Sequence, residues 1–423
     1  MKPFFSSAPR VILLLSTAVK ASRDNLAGIL RYVKLHTPWN VQIVEKVDTE
    51  QTVKNIRAWN ADGLIVGLMP EKAGIGNLKI PTVTMDGNLG HFAKHFKGAV
   101  HITCDSQAIA YAGADYLVGK GFRSFAYVFS GQGEDWSTQR AEFFSQRLMQ
   151  KGFNCHILPS DNRIDNRASK DWMQNQTTLT QWLRSLPTKT AIFVSNDQKA
   201  REILSLCLLA NIHVPADLAI LGCDNDEMLC ENTTPPLSSI EPDFQACGYQ
   251  AAELLEQLMF KSQNVPYHNF YGMRQIAERE STRFCSVKLD SRVSAGLNFI
   301  RLNATRKIGV CDVSDHMHVS RRMAELIFKK NLASSIGHEI QHARVEKLKH
   351  LLTDSSQSIT TICGLCGYNS ESQAKLVFKN NTGTSMSQFR KAEREKYRAQ
   401  PKRALPDTKP NPTDPIKGRP SGS

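Results

Sequence analysis

Two similar segments near the carboxyl end constrain the fold of this chain more than any other feature. They cover residues 308–330 and 358–379. In each, a short amphipathic stretch and a tight break precede a second amphipathic stretch. That second stretch begins after a serine able to cap exposed helical N–H groups. Both second stretches end in the same Phe-Lys pair, at 328–329 and at 378–379. The repetition predicts two helix-turn-helix units joined by a long helix.

The wider segment, residues 291–398, resembles the AraC/XylS family of transcription regulators. Residues 344–352 (Arg-Val-Glu-Lys-Leu-Lys-His-Leu-Leu) are similar to that family's joining helix, and residues 383–390 are similar to its usual ending. The resemblance implies a DNA-binding domain over residues 286–398. Its two second helices are expected to enter successive major grooves of operator DNA, about 34 Å apart.

The segment departs from the family at a few positions. Ala324 and Ala374 stand where an aromatic residue or Leu packs the second helix, and Met386 stands where Pro is usual. Leu326 and Leu376 occupy positions that are often polar. These differences concern the packing and base readout of the domain.

The charge distribution agrees with a DNA-binding carboxyl half. The chain has a net charge of +13, and residues 286–423 hold 24 Lys and Arg against 12 Asp and Glu. The first 285 residues hold 29 against 28 and are therefore close to neutral. A basic domain attached to a neutral one indicates a polyanionic partner for the basic part.

The second helices of the two units supply the candidate DNA contacts. We expect base edges to be read by Arg321, Arg322, Glu325, Glu371, Ser372 and Lys375. We expect phosphate contacts, which add affinity without sequence information, from Lys329, Lys330, Lys379 and Arg390. For Met323, Leu326, Ile327 and Phe328 we predict packing in the core of the domain.

Along the first 285 residues, short apolar runs alternate with helical patterns. Runs at 11–16, 41–45, 63–67, 100–105, 124–129, 154–158, 190–195 and 218–224 are typical of buried strands. Ser106 is predicted to cap the helix that follows the run at 100–105. Continuous apolar strands that alternate with helices predict a parallel sheet covered on both faces. In such sheets ligands bind beyond the carboxyl ends of the strands.

Polar residues follow several of these strands, and their types suit a sugar. Carboxylates and amides bind paired hydroxyls, an Arg fixes orientation, and an aromatic ring covers the apolar face of a sugar ring. The candidate ligand-binding residues are Trp136, Arg140, Asn196, Asp197, Asp224 and Asp105. Polar residues at such junctions also cap the helices that follow, and spacing alone leaves the two roles open.

Three motifs in this half resemble the effector domain of LacI/GalR repressors. They are Ser-Asn-Asp-Gln-Lys-Ala at 195–200, residues 214–225 and Pro-Pro-Leu-Ser-Ser-Ile at 235–240. The resemblance implies a two-lobed α/β fold of the type I periplasmic-binding-protein kind over residues 9–285. An effector domain of this kind ahead of an AraC-type domain is similar to xylose operon regulators. It also implies a homodimer, with four helix-turn-helix units on tandem half-sites.

Together these features predict a fold class and a function. The fold is an α/β two-lobed domain followed by an all-α domain with two helix-turn-helix units. The function is that of a cytoplasmic, sequence-specific transcription regulator, an activator that binds D-xylose or another pentose and contacts RNA polymerase. We expect no enzyme activity, cofactor or metal. Two alternatives remain: a regulator of a nucleobase or phosphosugar response, or a carbohydrate enzyme with Asp197 and Asp224 as its acid–base pair.

The rest of the sequence sets limits on location and order. Ten scattered cysteines suit a reducing compartment, and the Cys363-x-x-Cys366 pair is predicted to be two buried side chains inside a helix. No apolar run reaches the ~18 residues of a membrane span. Residues 1–8 are predicted to be an extension, and 399–423, with six prolines, a disordered tail.

Overall fold

The chain forms two compact units, Met1–Ser286 and Val287–Ser423. The computed structural model describes residues 8–45, 50–67, 78–85, 96, 98–130, 135–158, 172–262, 264–283, 290–332, 334–355 and 357–399. The predicted extension and the predicted tail lie almost entirely outside these residues. Among the described residues, no helix is both long and apolar enough to span a membrane.

The first sheet of the first unit is parallel throughout. In spatial order its strands are β11 (His268–Tyr271), β5 (Val100–Cys104), β4 (Thr82–Met85), β3 (Gly63–Val66), β1 (Arg10–Leu14) and β2 (Asn40–Val44). Its helices are α1 (Lys20–Leu35), α2 (Glu50–Trp59) and α8 (Phe244–Met259). Alternate residues of β1 enter different cores: Val11 and Leu13 pack in one, Ile12 and Leu14 in the other. Both faces of the sheet are therefore covered.

The second sheet is parallel except for one edge strand, β12, which is antiparallel to β10. In spatial order its strands are β12 (Met273–Ala277), β10 (Ser238–Pro242), β9 (Leu218–Cys223), β8 (Thr190–Val194), β6 (Ser124–Val128) and β7 (Cys155–Ile157). Its helices are α3 (Ser106–Gly119), α4 (Asp135–Gln150), α5 (Trp172–Ser185), α6 (Asp197–Leu209) and α7 (Glu227–Cys230). Residues of β8 again alternate between two cores, so this sheet is also buried on both faces.

The chain crosses between the two sheets three times. It passes from β5 into α3, from β10 into α8, and from β11 into β12. The return helix α8 lies against α1 with the two backbones in contact. A Cβ on Gly28 would lie 2.1 Å from the Gln245 carbonyl oxygen, and one on Gly248 would lie 1.9 Å from that of Asn25. Only glycine fits at these two positions.

The second unit is all helical. Its helices are α9 (Ser291–Asn303), α10 (Val310–His316), α11 (Arg321–Leu332), α12 (Ile336–Asp354), α13 (Ile359–Leu365), α14 (Glu371–Thr382) and α15 (Met386–Ala399). One core forms around Phe328 and another around Phe378, so each predicted unit packs on its own Phe. The long helix α12 contributes to both cores. Cys363 and Cys366 are buried in the second, as predicted.

A buried arginine holds the joining helix to the loops around it. Arg344, on α12, donates from Nε to the Ala304 carbonyl at 2.8 Å. Its Nη2 donates to the carbonyls of Arg306 (3.0 Å) and Ile308 (3.1 Å). Its guanidinium carbon also lies 5.7 Å from the Tyr368 ring centroid. One side chain thus donates hydrogen bonds to backbone carbonyls of the loop before the first helix-turn-helix and contacts the turn of the second.

The predicted fold class is confirmed, with two corrections of detail. Helix α3 is capped by Asp105, which accepts from the Ala108 N–H at 2.9 Å, and Ser106 is its first residue and not its cap. The strands β4, β10, β11 and β12 were not predicted. Polar residues interrupt β4 and β10, and β11 and β12 lie at sheet edges, so none has the continuous apolar run of the central strands.

We predict that Arg344→Ala loosens the loops that it binds. Loss of the guanidinium removes one donor from each of three carbonyls, which costs roughly 2 kcal/mol or more of local stability. In the full-length protein, hydrogen exchange of residues 303–309 and 364–369 should then be about thirtyfold faster. Lys347→Ala, an exposed change on the same helix, should leave both segments as in wild type. Equal exchange in the two variants would contradict this role for Arg344.

Candidate ligand and nucleic-acid sites

Arg140 lies buried at the carboxyl ends of the second sheet's strands. It extends from α4, and its Nη1 donates to the Ser195 carbonyl at 2.9 Å and to the Cys223 Sγ at 3.4 Å. These partners stand just after β8 and at the end of β9. Burial lowers the pKa of Arg140, but its acidic neighbours, which include Cys223 and Asp224, raise it more, so the guanidinium is charged. Its Nε is buried and has no hydrogen-bond partner among the described residues.

Trp136 stands one helical turn before Arg140, and the two side chains stack. The guanidinium carbon of Arg140 lies 4.6 Å from the centroid of the Trp136 ring. The ring is half-buried. Positions four apart on a helix face the same side, which explains how the sequence brings this pair together. Residues 131–134, where the sequence Gly-Gln-Gly-Glu predicts a Gly-rich loop before Trp136, lie outside the described residues.

Asp224 and Asn225 follow β9 in a backbone conformation that is uncommon for residues other than glycine. Their φ angles are +113° and +48°. Backbone strain of this kind concentrates at functional sites, where surrounding contacts maintain it. Here the Asp224 N–H donates to the Ile240 carbonyl at 2.8 Å, and the Asn225 N–H donates to Ser239 Oγ at 3.0 Å. Both contacts come from strand β10.

Asp197 supports this bend from below. It is fully buried, and its Oδ1 accepts from Ser239 Oγ at 2.6 Å. Its Oδ2 accepts from the Asp226 N–H at 2.8 Å and from Cys230 Sγ at 3.2 Å. A Cβ on Gly222 would lie 2.2 Å from Oδ1, so the neighbouring strand needs a glycine there. Both carboxylate oxygens are bound by the protein itself.

The environment of Asp197 shifts its titration. Burial raises the pKa of its carboxyl group from the ordinary 3.8 to about 6, against the opposing effect of the hydrogen bonds from Ser239 and Asp226. Burial makes the charged form of this carboxyl group unfavourable, and the hydrogen bonds from Ser239 and Asp226 offset part of that cost near neutral pH.

Asn196 and Asp105 both cap helices. The Asn196 Oδ1 accepts from the Lys199 N–H at 2.9 Å at the start of α6, and Asp105 does the same for α3. The capping role that spacing left open is therefore occupied in both residues. Each cap uses one atom of the side chain.

Glu241 forms a cluster that sequence reasoning missed. It is buried on β10, and its Oε2 accepts from Asn225 Nδ2 at 3.3 Å and from Gln275 Nε2 at 2.9 Å. Its Oε1 lies 4.0 Å from Nζ of Lys20, which begins α1 over the first sheet and also bonds Asp24 at 2.6 Å. This polar chain links the strained bend after β9 to the other lobe. In the sequence, a single acidic residue within a strand does not indicate that such a cluster forms.

The helix α11 carries the predicted contacts of the first helix-turn-helix. Its first turn is capped by Ser320, whose Oγ accepts from the Met323 N–H at 3.3 Å. Arg321, Arg322, Lys329 and Lys330 are exposed, and Glu325 is half-buried.

The predicted packing of α11 is confirmed in part. Ile327 and Phe328 are buried, but Met323 and Leu326 are 46% and 56% exposed, so the prediction that they pack in the core is wrong. At about 100° per residue, the buried stripe through Ala324 and Phe328 places Leu326 on the opposite side. Apolar character alone misled the prediction.

The helix α14 has the same length and the same pattern. Ser370 Oγ accepts from the Gln373 N–H at 3.2 Å, and Ser372, Lys375 and Lys379 are exposed. Glu371 is engaged within the unit, accepting from Thr360 Oγ1 at 2.6 Å and pairing with Lys375 at 2.5 Å.

Arg390, on α15, lies apart from these exposed positions. It is half-buried, and its Nη2 donates to the Gln357 carbonyl at 2.9 Å. That carbonyl immediately precedes Ser358, which caps α13. Arg390 therefore holds the entrance of the second helix-turn-helix.

Comparison with known proteins assigns both domains. The pattern of the periplasmic binding protein-like domain family matches residues 114–282, and that of the helix-turn-helix domain family matches residues 313–392. The xylose operon regulatory protein of Escherichia coli K12 is 28% identical over 391 residues, which cover 91% of this chain and 98% of that protein. The one from Haemophilus influenzae is 28% identical over 390 residues, 90% of this chain and 98% of that protein.

A solved structure extends the similarity to three dimensions. The xylose-binding transcription activator XylR superposes with a TM-score of 0.76 at 27% identity, covering 92% of this chain and 99% of that one. The similarity runs through both domains in the same order. The predicted resemblance to a LacI-like effector domain joined to an AraC-type DNA-binding domain is confirmed.

The raised pKa of Asp197 predicts a pH-dependent stability. Because its folded-state pKa of about 6 lies above the ordinary 3.8, its stabilising contribution is complete below the lower value and is lost as the pH rises through the higher one. From about pH 5 to about pH 7.5, the free energy of unfolding of wild type should fall by roughly 1 kcal/mol relative to Asp197→Asn. Urea unfolding at both pH values measures this, and a pH-independent difference would contradict it.

Proposed function

We propose that this chain, a periplasmic-binding-protein-like domain followed by an AraC-type helix-turn-helix domain, is a transcription regulator that binds operator DNA under the control of a small sugar. Its relatives are regulators named for xylose operons and a xylose-binding activator. D-xylose or another pentose is accordingly our first choice of ligand. The observation that carries the sugar site is the charged, buried Arg140, which stacks on Trp136 and whose Nε–H has no partner in the described part of the chain.

The proposed sugar contacts follow from the geometry at the strand ends. Arg140 offers a charged donor at a buried point, and the half-buried Trp136 ring offers an apolar surface for the C–H face of a sugar. Asp224, on the strained bend, supplies a carboxylate for paired hydroxyls. Asn196 and Asp105 complete the set with the side-chain atoms that their caps do not use.

Asp197 has a different part in this proposal. Both of its oxygens are bound by protein donors, so we assign it to holding the Asp224 bend and not to contacting the sugar. The same contacts argue against the enzyme alternative, because a general acid or base must reach the substrate and Asp197 is buried beneath the loop. The relatives that span most of the chain are regulators.

The DNA contacts of the proposal lie on α11 and α14. Exposed Arg321, Arg322, Ser372 and Lys375 are placed to reach base edges, with Glu325 and Glu371 at the sides of the helices. Lys329, Lys330 and Lys379 are placed to bind phosphates. Arg390, bound to Gln357, is the weakest of the predicted phosphate contacts.

Assembly and location complete the proposal. We infer a homodimer, which doubles the number of helix-turn-helix units on DNA, and action in the cytoplasm. As an activator, the chain would also contact RNA polymerase. The Lys20–Glu241 pair is the described ionic contact that spans the lobes next to the proposed sugar site, so closure on a ligand would act on it directly.

Calorimetry on Trp136→Ala tests the sugar site. Wild type should bind one monosaccharide from a panel of pentoses and hexoses. The variant should bind it about 5-fold to 150-fold more weakly, since loss of the ring removes roughly 1–3 kcal/mol of contact. Circular dichroism should show an unchanged fold. Gln139→Ala, an exposed change on the same helix, should keep wild-type affinity.

Two results would count against the proposal. Equal affinities for wild type and Trp136→Ala would remove Trp136 from the site. A wild-type protein that ignores the sugars but binds a nucleobase or a phosphosugar from the same panel would replace the ligand class.

A further inference from the structure

Each of the two DNA-facing helices exposes a leucine at the same position. Leu326, on α11, is 56% exposed, and Leu376, on α14, is 62% exposed. Each stands two residues before the Phe that anchors its helix in the core, Phe328 or Phe378. A single exposed leucine needs no explanation, but the same one on both copies of a repeated unit does.

The position is the centre of the solvent face of each helix. At about 100° per residue, a residue two places after buried Ala324 or Ala374 points about 200° away from the core stripe. Around each leucine most of the exposed residues are polar or basic: Arg322 and Lys329 on α11, and Ser372, Lys375 and Lys379 on α14. The exposed Met323 on α11 is the exception. A surface with an apolar side chain in the middle and basic side chains around it favours a polyanion that also exposes apolar groups. The major groove of DNA offers both, because phosphates flank it and thymine methyl groups lie within it.

We propose that Leu326 and Leu376 read thymine, each through the C5-methyl group that a T·A pair presents in the major groove. This rests on the proposed DNA-binding function. Leucine has no hydrogen-bond donor or acceptor, and thymine is the base that offers a methyl group there. Facing cytosine, the leucine would bury an N4–H donor without a partner, which is unfavourable. The stretch of operator under each helix-turn-helix unit should therefore have a required thymine at an equivalent place.

Met323 does not join this pair. It is also exposed, but the equivalent residue of α14 is the polar Gln373. The leucine is therefore the exposed apolar residue that the two helices share. The two leucines are the apolar feature common to both helices. They determine specificity at one base pair each, and the surrounding cations supply affinity.

Replacing thymine by uracil tests this directly, because deoxyuridine lacks only the C5-methyl group. Full-length protein first selects duplexes from a randomised DNA pool. Each thymine of a selected duplex is then replaced singly by deoxyuridine. For wild type we expect one position under each helix-turn-helix unit where the replacement weakens binding about fourfold, the effect of one buried methyl group.

The variants assign each methyl group to its leucine. Leu326→Ala should lose the uracil sensitivity at the position under the first helix-turn-helix unit and keep it at the position under the second, and Leu376→Ala should do the reverse. Because alanine has a high helix propensity, replacing an exposed leucine of a helix by alanine should leave folding unaffected. Leu302→Ala, at an equally exposed leucine of α9, should behave as wild type.

The outcomes separate this inference from the function on which it rests. Selected duplexes that tolerate uracil at every position, or a sensitivity that survives both leucine variants, would overturn the thymine assignment while leaving DNA binding intact. Failure to select any duplex would overturn the DNA-binding function, and the inference with it.

Discussion

The buried carboxylate of Asp197 is the interaction on which the proposed sugar site depends. It joins the start of α6, the turn after β9 and strand β10 through three donors: Ser239, the Asp226 N–H and Cys230. These contacts hold Asp224 and Asn225 at positive φ, a conformation that the chain would otherwise avoid. Burying a charge is costly unless donors surround it. The fold therefore buries the Asp197 carboxylate beneath the loop that carries Asp224, the proposed sugar contact.

The DNA-binding unit solves a similar problem with the opposite charge. Its two small cores, around Phe328 and Phe378, are joined by one helix, and the loops beside that helix leave backbone carbonyls to be satisfied. Arg344 donates to three of them. In both units a buried ionic side chain fixes irregular backbone that no regular hydrogen-bond ladder could hold.

The architecture could be predicted from the sequence because buried strands and helices have recognisable patterns of apolar residues. Central strands such as β8 and β9 are continuous apolar runs, and the Phe-Lys repeat marked both recognition helices. The sequence was insufficient where tertiary contacts decide. Asp105 and Asn196 follow strands as ligand residues do, yet both cap helices, and spacing cannot separate those roles. Leu326 was misplaced because an apolar residue in the sequence does not show whether its side chain is exposed or buried. Glu241 gave no signal, since its partners come from both lobes.

Control of DNA binding by a sugar requires that sugar binding and operator binding are thermodynamically coupled. Sugar affinity should therefore be titrated by calorimetry on the full-length protein, with and without saturating operator DNA. Linkage demands reciprocity: if sugar changes operator affinity tenfold, operator changes sugar affinity tenfold in the same direction, a coupling of about 1.4 kcal/mol. We expect unequal sugar affinities in the two titrations, matching the change that sugar makes in operator affinity. Identical affinities would mean that the two domains are uncoupled, and that the chain is not a sugar-controlled regulator.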